Sequence, residues 1–545
     1  MSDPSKTLHT PSRRALLVGG AASVAAFALA PPASASATRQ APAFVRAPSA
    51  LALDSARVRT WAADTWHSLV AMTDPSTGLP ADNIPESLAA GDRSSFTSPT
   101  NIGGYLWSTV VARELGLITK DEATARLVRT LKTIYRMQHH GPSGLYYNWY
   151  DEATGDVITT WPTSGARVYP FVSSVDNGWL GAALLVVKSS DRAAAVWADR
   201  IFSRMRWDMF YDTNVGLKPG LIHGGFYDAP PPPGFSGFTG NHIGIGPDVW
   251  YTNHHYDTTV SETRITSYLG IITGQIPGAQ YYAMWRTFPA TCDWSWQEMQ
   301  PVGVNRTYLG VQVYEGAYTY RGMHIVPGWG GSMFEELMPD VFVPEAEWAP
   351  NSWGRNHPLH VRAQREHGLI EAGYGYWGFS PSSDPTRPPD GYREYGVDAL
   401  GLGPGNESGN PGNGYFSDVE MTNFDVGFGD CRAATNPNPT YGEGVVTPHA
   451  SFLAMMHEPD AAFTNLAKIE TVLGAYGQGG FFDAVAVKTG RIARRYLSLD
   501  QAMVMGAIGN VLGNDVVRRA FSTPAVEARL RPVIGIEEFG ASPVA

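Results

Sequence analysis

Apolar residues recur at helical spacing through most of the chain, and strand-like alternation is confined to short pieces such as 308–313. The first helical stretch spans 52–72, with Val58, Trp61, Trp66 and Leu69 on one face. It ends in the turn Thr73-Asp74-Pro75-Ser76-Thr77-Gly78. Residues Thr97-Ser98-Pro99-Thr100-Asn101 lead into a helix over 102–115, stopped by Gly116. Thr119 and Glu122 form a capping box for a helix that reaches Gln138. The same spacing predicts helices over 179–187, 193–209, 258–273, 281–288, 353–366, 449–456, 461–475, 500–512 and 515–519. Long loops rich in glycine and aromatic residues separate them, chiefly 141–151, 216–251 with its four prolines at 230–233, and 373–429 with Trp377, Tyr392, Tyr395 and Tyr415. Helices that pair in sequence, without a fixed repeat period, predict an all-α fold, an (α/α)6 barrel whose loops at one end build a site.

Composition sharpens this picture. A chain of 545 residues with net charge −11 has ample core and a surface poorly suited to nucleic acid or an anionic membrane. Aromatics at 12% against charged residues at 17% suit a site that stacks on sugar rings, and equally suit a large helical core. The N-terminal Ser12-Arg13-Arg14-Ala15-Leu16-Leu17, an alanine-rich run to Ala30 and two Ala-x-Ala sites ending at Ala35 and Ala37 fit a cleaved twin-arginine export signal. The expected organisation is a signal over 1–37, a linker over 38–50 and one catalytic domain over 51–545, in a secreted or cell-envelope protein without stable membrane insertion. Cys292 and Cys431 form either one disulfide or two buried thiols.

Residues 328–339, Gly-Trp-Gly-Gly-Ser-Met-Phe-Glu-Glu-Leu-Met-Pro, carry the most concentrated chemistry. Its glycines permit a close backbone approach, Ser332 can cap the helix that follows, and Trp329, Met333 and Phe334 can wall in a carboxylate. Glu335 and Glu336 lie about 100° apart on a helix, so one pocket takes at most one of them. Other carboxylates stand beside glycine or aromatic residues: Asp176, otherwise a helix cap; Glu262, placed in a helix where it can pair with Arg264; Asp483; and Asp500, a possible cap of the last long helix. Glycoside hydrolysis requires such a pair, an acid for the leaving oxygen and a base or nucleophile across the ring. His254-His255 invites a metal or lyase reading, but adjacent histidines cannot easily share one ion, so neither a metal nor another cofactor is expected.

Seven short motifs occur in order: Thr97-Ser98-Pro99-Thr100-Asn101-Ile102-Gly103, Tyr147-Asn148-Trp149-Tyr150-Asp151, Ser174-Val175-Asp176-Asn177-Gly178, Ser261-Glu262-Thr263-Arg264, the Gly-Gly-Ser-Met-Phe-Glu-Glu-Leu-Met-Pro run beginning at Gly330, Gly391-Tyr392-Arg393-Glu394-Tyr395-Gly396, and Leu499-Asp500-Gln501. Together they resemble the bacterial glycoamylase-domain family, which includes endo-β-1,2-glucanases and the transglycosylating domain of cyclic β-1,2-glucan synthases. The resemblance implies an (α/α)6 barrel that hydrolyses a β-linked glucan, with polysaccharide or oligosaccharide as its partner. It places the general acid on Glu335 and Asp176 at the cleavage subsite, and it leaves the base to Asp500 or Asp483. The residues expected to bind substrate are Asn101, Asn148, Trp149, Asn177, Glu262, Arg264, Tyr392 and Tyr395, together with Trp329. Glu336 and the Leu-Asp-Gln-Ala ending of the last motif depart from the family pattern. A retaining transglycosylase, an exo-acting hydrolase, a lyase and a non-catalytic glycan-binding protein are the competing expectations.

Overall fold

A computed structural model of the chain describes residues 52–215, 219–386, 391–402 and 425–543. The expected signal, the linker and Tyr415 lie outside these residues.

Six helices line the axis: α2 (Pro99–Glu114), α4 (Ser174–Ser190), α6 (Arg264–Ile272), α7 (Met333–Leu337), α10 (Pro448–Ala454) and α12 (Ser498–Leu512). An outer layer runs between them: α1 (Ser55–Met72), α3 (Lys120–Arg136), α5 (Arg192–Phe202), the 3-10 turn Gly278–Ala283, α9 (Trp353–Glu366) and α11 (Pro459–Thr471). Around the inner ring α2 packs on α4, α4 on α6, α7 on α10, α10 on α12, and α12 back on α2, while Arg264 ties α6 to α7. This is the predicted (α/α)6 barrel. The pattern of burial explains the two layers: α2 and α12 are buried on nearly every face, whereas α3 and α5 bury one stripe. The inner helices approach very closely. A Cβ added at Gly103 would sit 2.9 Å from the backbone oxygen of Trp179. Along the axis, Trp107, Trp179 and Phe342 pack edge-on or tilted with ring centres 5.1–6.5 Å apart, and Phe521 follows 5.9 Å beyond Phe342.

The remaining helices are α8 (Glu345–Trp348), α13 (Val516–Phe521) and α14 (Pro524–Ile534). Neither α8 nor α14 is anticipated by the periodicity. Three further expectations change. The stretch expected as a helix over 281–288 gives only the short 3-10 turn, which ends before Met284 in extended backbone. The helix expected from 258 begins at Arg264, because 258–263 is turn and bridge structure. Strand content is larger than the short 308–313 piece: Val302–Tyr308 and Val311–Tyr320 pair as a hairpin through Leu309-Gly310, both at positive φ. The open question on the cysteines is answered by a Cys292–Cys431 disulfide.

Candidate active site

Three inner helices begin alike. Ser98, Ser173 and Ser332 are their N-caps, and each hydroxyl accepts from the backbone N–H three residues on, at Asn101 (3.2 Å), Asp176 (3.2 Å) and Glu335 (3.3 Å). A capped first turn thus fixes each residue at the third helical position. Asp500 occupies the same position in α12, after Leu497, and His449 the second position in α10, after Pro448. The capping role expected of Asp176 therefore belongs to Ser173, and the N-cap position of α12 is Leu497 rather than Asp500.

Hydrogen bonds, short stretches of chain and one His449–Asp500 approach link these helix starts into a closed ring. Thr100 Oγ1 donates to Asp176 Oδ1 at 2.5 Å, and the Asn148 amide, oriented to satisfy its neighbours, donates to Asp176 Oδ2 at 2.6 Å and accepts from Trp149 Nε1 at 3.1 Å. One turn further along α4, Trp179 Nε1 donates to Glu262 Oε2 at 2.5 Å. Glu262 N–H and Ser261 Oγ then donate to Glu335 Oε2 at 2.6 and 2.9 Å. From α7 the ring continues through Met333 N–H to Phe379 O and Phe334 N–H to Ser380 Oγ. Ser383 N–H donates to Asp483 Oδ2 at 2.6 Å. Thr447 Oγ1 bonds the Asp483 carbonyl at 2.6 Å and His449 Nδ1 at 3.0 Å, and His449 Nδ1 lies 3.7 Å from Asp500 Oδ2. Ser498 N–H reaches the Asp82 carbonyl, and Asp82 Oδ1 accepts from Asn101 Nδ2, which returns the ring to α2. Asp176, Glu262, Glu335, Asp483 and Asp500 therefore stand around one end of the barrel, where the positive ends of the inner helices favour anionic groups.

Glu335 and Glu262 are 8% and 1% exposed, so both carboxylates are largely desolvated. One oxygen each of Asp483 and Asp500 and a ring nitrogen of His449 lie within 4.8 Å of one another, all three residues buried. The two residues left open as base thus meet, and His449, absent from the sequence reading, joins them. Pro448 at the first helical position was the available signal, since it marks a helix start among aromatic loops.

Other anticipated residues are placed differently. Asn177 and Asn101 are fully buried; Asn177 bonds the Tyr146 backbone and Ser173 O, and Asn101 holds Asp82, so both shape the wall rather than face an opening. Asn148 and Trp149 are half-buried, and Trp149 packs edge-on against Phe96 and Trp161. Trp329 is half-buried and Tyr395 buried; Tyr392 pairs with Ser383 in a two-residue ladder, one step from Asp483. Glu262 lies in a turn, not within a helix, and its partner is Trp179. Arg264 instead grips Glu345 with Nε and Nη2, each at 2.8 Å, beneath the site. Glu336 turns away from Glu335: it is fully buried, bonds His357 Nδ1 at 2.6 Å, and despite the cost of burial is held below the usual carboxylate range by that histidine. A cavity of about 300 Å³ lined by Thr77, Thr133, Met137 and Val157 contains none of these residues.

An all-α double ring with carboxylates gathered at the inner helix starts is an (α/α)6 barrel. The chain aligns with the endo-β-1,2-glucanase from Chitinophaga pinensis solved with sophorotriose and glucose, at TM-score 0.58 and 14% identity over 89% of this chain and 99% of that one. It aligns with the endo-β-1,2-glucanase from Talaromyces funiculosus solved with sophorose at TM-score 0.59 and 13% identity over 88% of each. Residues 254–524 match the glycoamylase family, described as "Putative glucoamylase", and 60–214 match a family described as a protein of unknown function. The chain therefore resembles the glycoamylase family over 254–524. It is also 27% identical over 285 residues to the cyclic β-(1,2)-glucan synthase NdvB of Rhizobium meliloti, half of this chain, but it spans only 8% of the length of that curated relative.

Proposed function

We propose that the protein is an exported glycoside hydrolase that cleaves a β-1,2-linked glucan within the chain, by inverting general acid/base catalysis. The observation that carries this reading is the closed ring, which places Glu335 and Glu262 on one side of the barrel mouth and the Asp483–Asp500–His449 group further round it. All of these residues fall inside the glycoamylase-family segment, and the similar folds include enzymes named for this linkage. Hydrolysis needs a proton for the leaving oxygen and a base that draws a proton from water. Glu335 is assigned as the acid, its carboxyl group held in place at Oε2 by Glu262 N–H and Ser261 Oγ. The base falls to the aspartate pair, with Asp500 first and Asp483 second. Asp176, pinned by Thr100 and Asn148, orients the sugar at the cleavage subsite. The disulfide supports export, since such bonds persist in oxidising compartments.

A second assignment of the acid rests on Glu262, the more buried of the two glutamates, whose Oε2 is seated on the Trp179 indole at the floor of the site. Products from β-1,2-, β-1,3- and β-1,4-glucans, followed by NMR of the anomeric proton, test the whole reading. Internal cleavage of the β-1,2 polymer alone, releasing inverted ends, is the expected result. Retained ends identify a transglycosylase, single-sugar release an exo-enzyme, and an unsaturated ultraviolet-absorbing product a lyase. Binding without turnover identifies a glycan-binding protein. Glu335→Gln should lower kcat by about a thousandfold with KM nearly unchanged. Should Glu262→Gln do so instead, the acid is Glu262.

A further inference from the structure

Between α5 and α6 the chain brings three histidines and a carboxylate to one point away from the ring of glutamates and aspartates. Strands Tyr211–Asp212, Leu221–His223 and His255–Tyr256 form an antiparallel sheet in which His255 lies opposite His223 and Asp212 opposite Leu221. Side chains directly opposite share a face, as do residues two apart on one strand, so Asp212, His223 and His255 all project from the same face. Their ends meet: His255 Nε2 is 3.0 Å and His223 Nε2 3.4 Å from Asp212 Oδ2, and one donor atom of each lies within 4.8 Å of the others. His242 brings its Nε2 to 3.2 Å from His223 Nε2, with the two rings nearly parallel. His223 is fully buried. His254, its neighbour in sequence to His255, takes no part and packs beside Gly224.

Ligand atoms bound at 2.0–2.2 Å around a tetrahedral ion stand about 3.3 Å apart. Three of the spacings here, 3.0 to 3.4 Å, are of that size. Hydrogen bonding alone serves the cluster poorly, because His223 Nε2 faces a carboxylate oxygen and another imidazole nitrogen and carries at most one proton. Imidazole nitrogens with one carboxylate are the donor set of zinc. We propose that Asp212, His223 and His255 bind one zinc-class divalent cation, with His242 closing on it as the fourth ligand.

The ion would have a bracing role. The His223 carbonyl accepts from Ser174 Oγ at 2.7 Å at the start of α4, which carries Asp176, and the strand ending at Tyr256 leads directly to the turn that carries Glu262. A cation here fastens the long insertion to two arms of the catalytic ring without entering the chemistry.

The test uses the full-length protein, loaded with zinc chloride and dialysed, with metal content measured by plasma mass spectrometry and melting temperature followed with and without EDTA. About one zinc per chain, a melting temperature lowered by EDTA, and intense visible bands of tetrahedral cobalt on substitution are expected. His255→Gln, at a half-buried edge position, and Asp212→Asn should each lose the zinc and the EDTA sensitivity while keeping the far-ultraviolet circular dichroism of the fold. Wild-type protein that retains no zinc, or zinc retained equally by both variants, would overturn the proposal and leave a hydrogen-bonded His–Asp cluster only.

Discussion

Arg264 shows how much of the site rests on one buried side chain. A guanidinium has five N–H donors, and here each has an acceptor: Nε and Nη2 on Glu345, Nη1 on the carbonyls of Ser261 and Glu335, and Nη2 also on the carbonyl of Glu336. Its plane lies 4.2 Å over the Trp353 ring. The fully buried residue therefore holds the backbone that presents Glu262 and Glu335. Arg264→Met would leave Glu345 buried without its cation and should cost about 3–5 kcal/mol in urea unfolding. Arg264→Lys keeps the charge but not the fork, and should lose roughly half as much while lowering kcat more than KM, since it loosens catalytic groups rather than binding ones. Equal stability of the lysine variant and the wild type would refute this account. The motif Ser-Glu-Thr-Arg made these residues visible in the sequence. Their division into a carboxylate of the site and an anchor below it was not visible, because the partner Glu345 lies 81 residues on and in a helix of four residues that periodicity cannot register.

At the scale of the element, the helix starts carry the information. Serine at the cap and a candidate residue or its neighbour in the wall three positions later recur at Ser98–Asn101, Ser173–Asp176 and Ser332–Glu335, so the locations of Asp176 and Glu335 were legible from local chemistry. The inner ring was legible for the same reason, as helices apolar on all sides. The hairpin over 302–320 was not, because its first strand is exposed along nearly all its length and lacks an apolar stripe. Elements α7, α8, α9 and α13 are joined by a buried ionic cluster that sequence could not assemble: His357 meets Glu336 at 2.6 Å and Glu345 at 3.3 Å, with Asp340 held by His457 and Arg518. Burial alone would lower the pKa of His357, but the carboxylates of Asp340, Glu336 and Glu345 outweigh it and push it up to about 9, from an ordinary 6.5. A folded-state pKa above the unfolded one stabilises the fold fully below pH 6.5, and that contribution is lost as pH rises through about 9. Unfolding free energy should fall by an amount on the order of 1–3 kcal/mol between pH 6.5 and 9.5, and His357→Gln should flatten this slope. An unchanged slope in the variant would assign the pH dependence to other groups.

Across the whole molecule, the barrel closes by joining its first and last thirds: α12 packs on α1 and α2, and the strand Asn83–Pro85 pairs with Arg495–Leu497. Contacts of such sequence separation leave long connections to be ordered from the unfolded chain, and one of them runs between α9 and α10. The Cys292–Cys431 bond fastens this part to the turn that precedes the 302–320 hairpin, 139 residues earlier. Around it, Arg432 bonds the carbonyls of Ser295 and Gln297 and the carboxylate of Asp425, so the cross-link sits in a region already drawn together by polar contacts. Closing a loop of that length removes much unfolded-state freedom, by chain-entropy reasoning about 5 kcal/mol as an upper figure and about 2–4 kcal/mol in ordinary cases. Cys292→Ser with Cys431→Ser should therefore lower the unfolding free energy by about 2–4 kcal/mol and leave kcat near that of the parent at 25 °C, because no residue of the catalytic ring depends on either sulfur. Reduction of the parent protein should reproduce the loss of stability and leave the double variant unaffected. A double variant as stable as the parent would mean that Arg432 and its partners hold this region without the covalent bond.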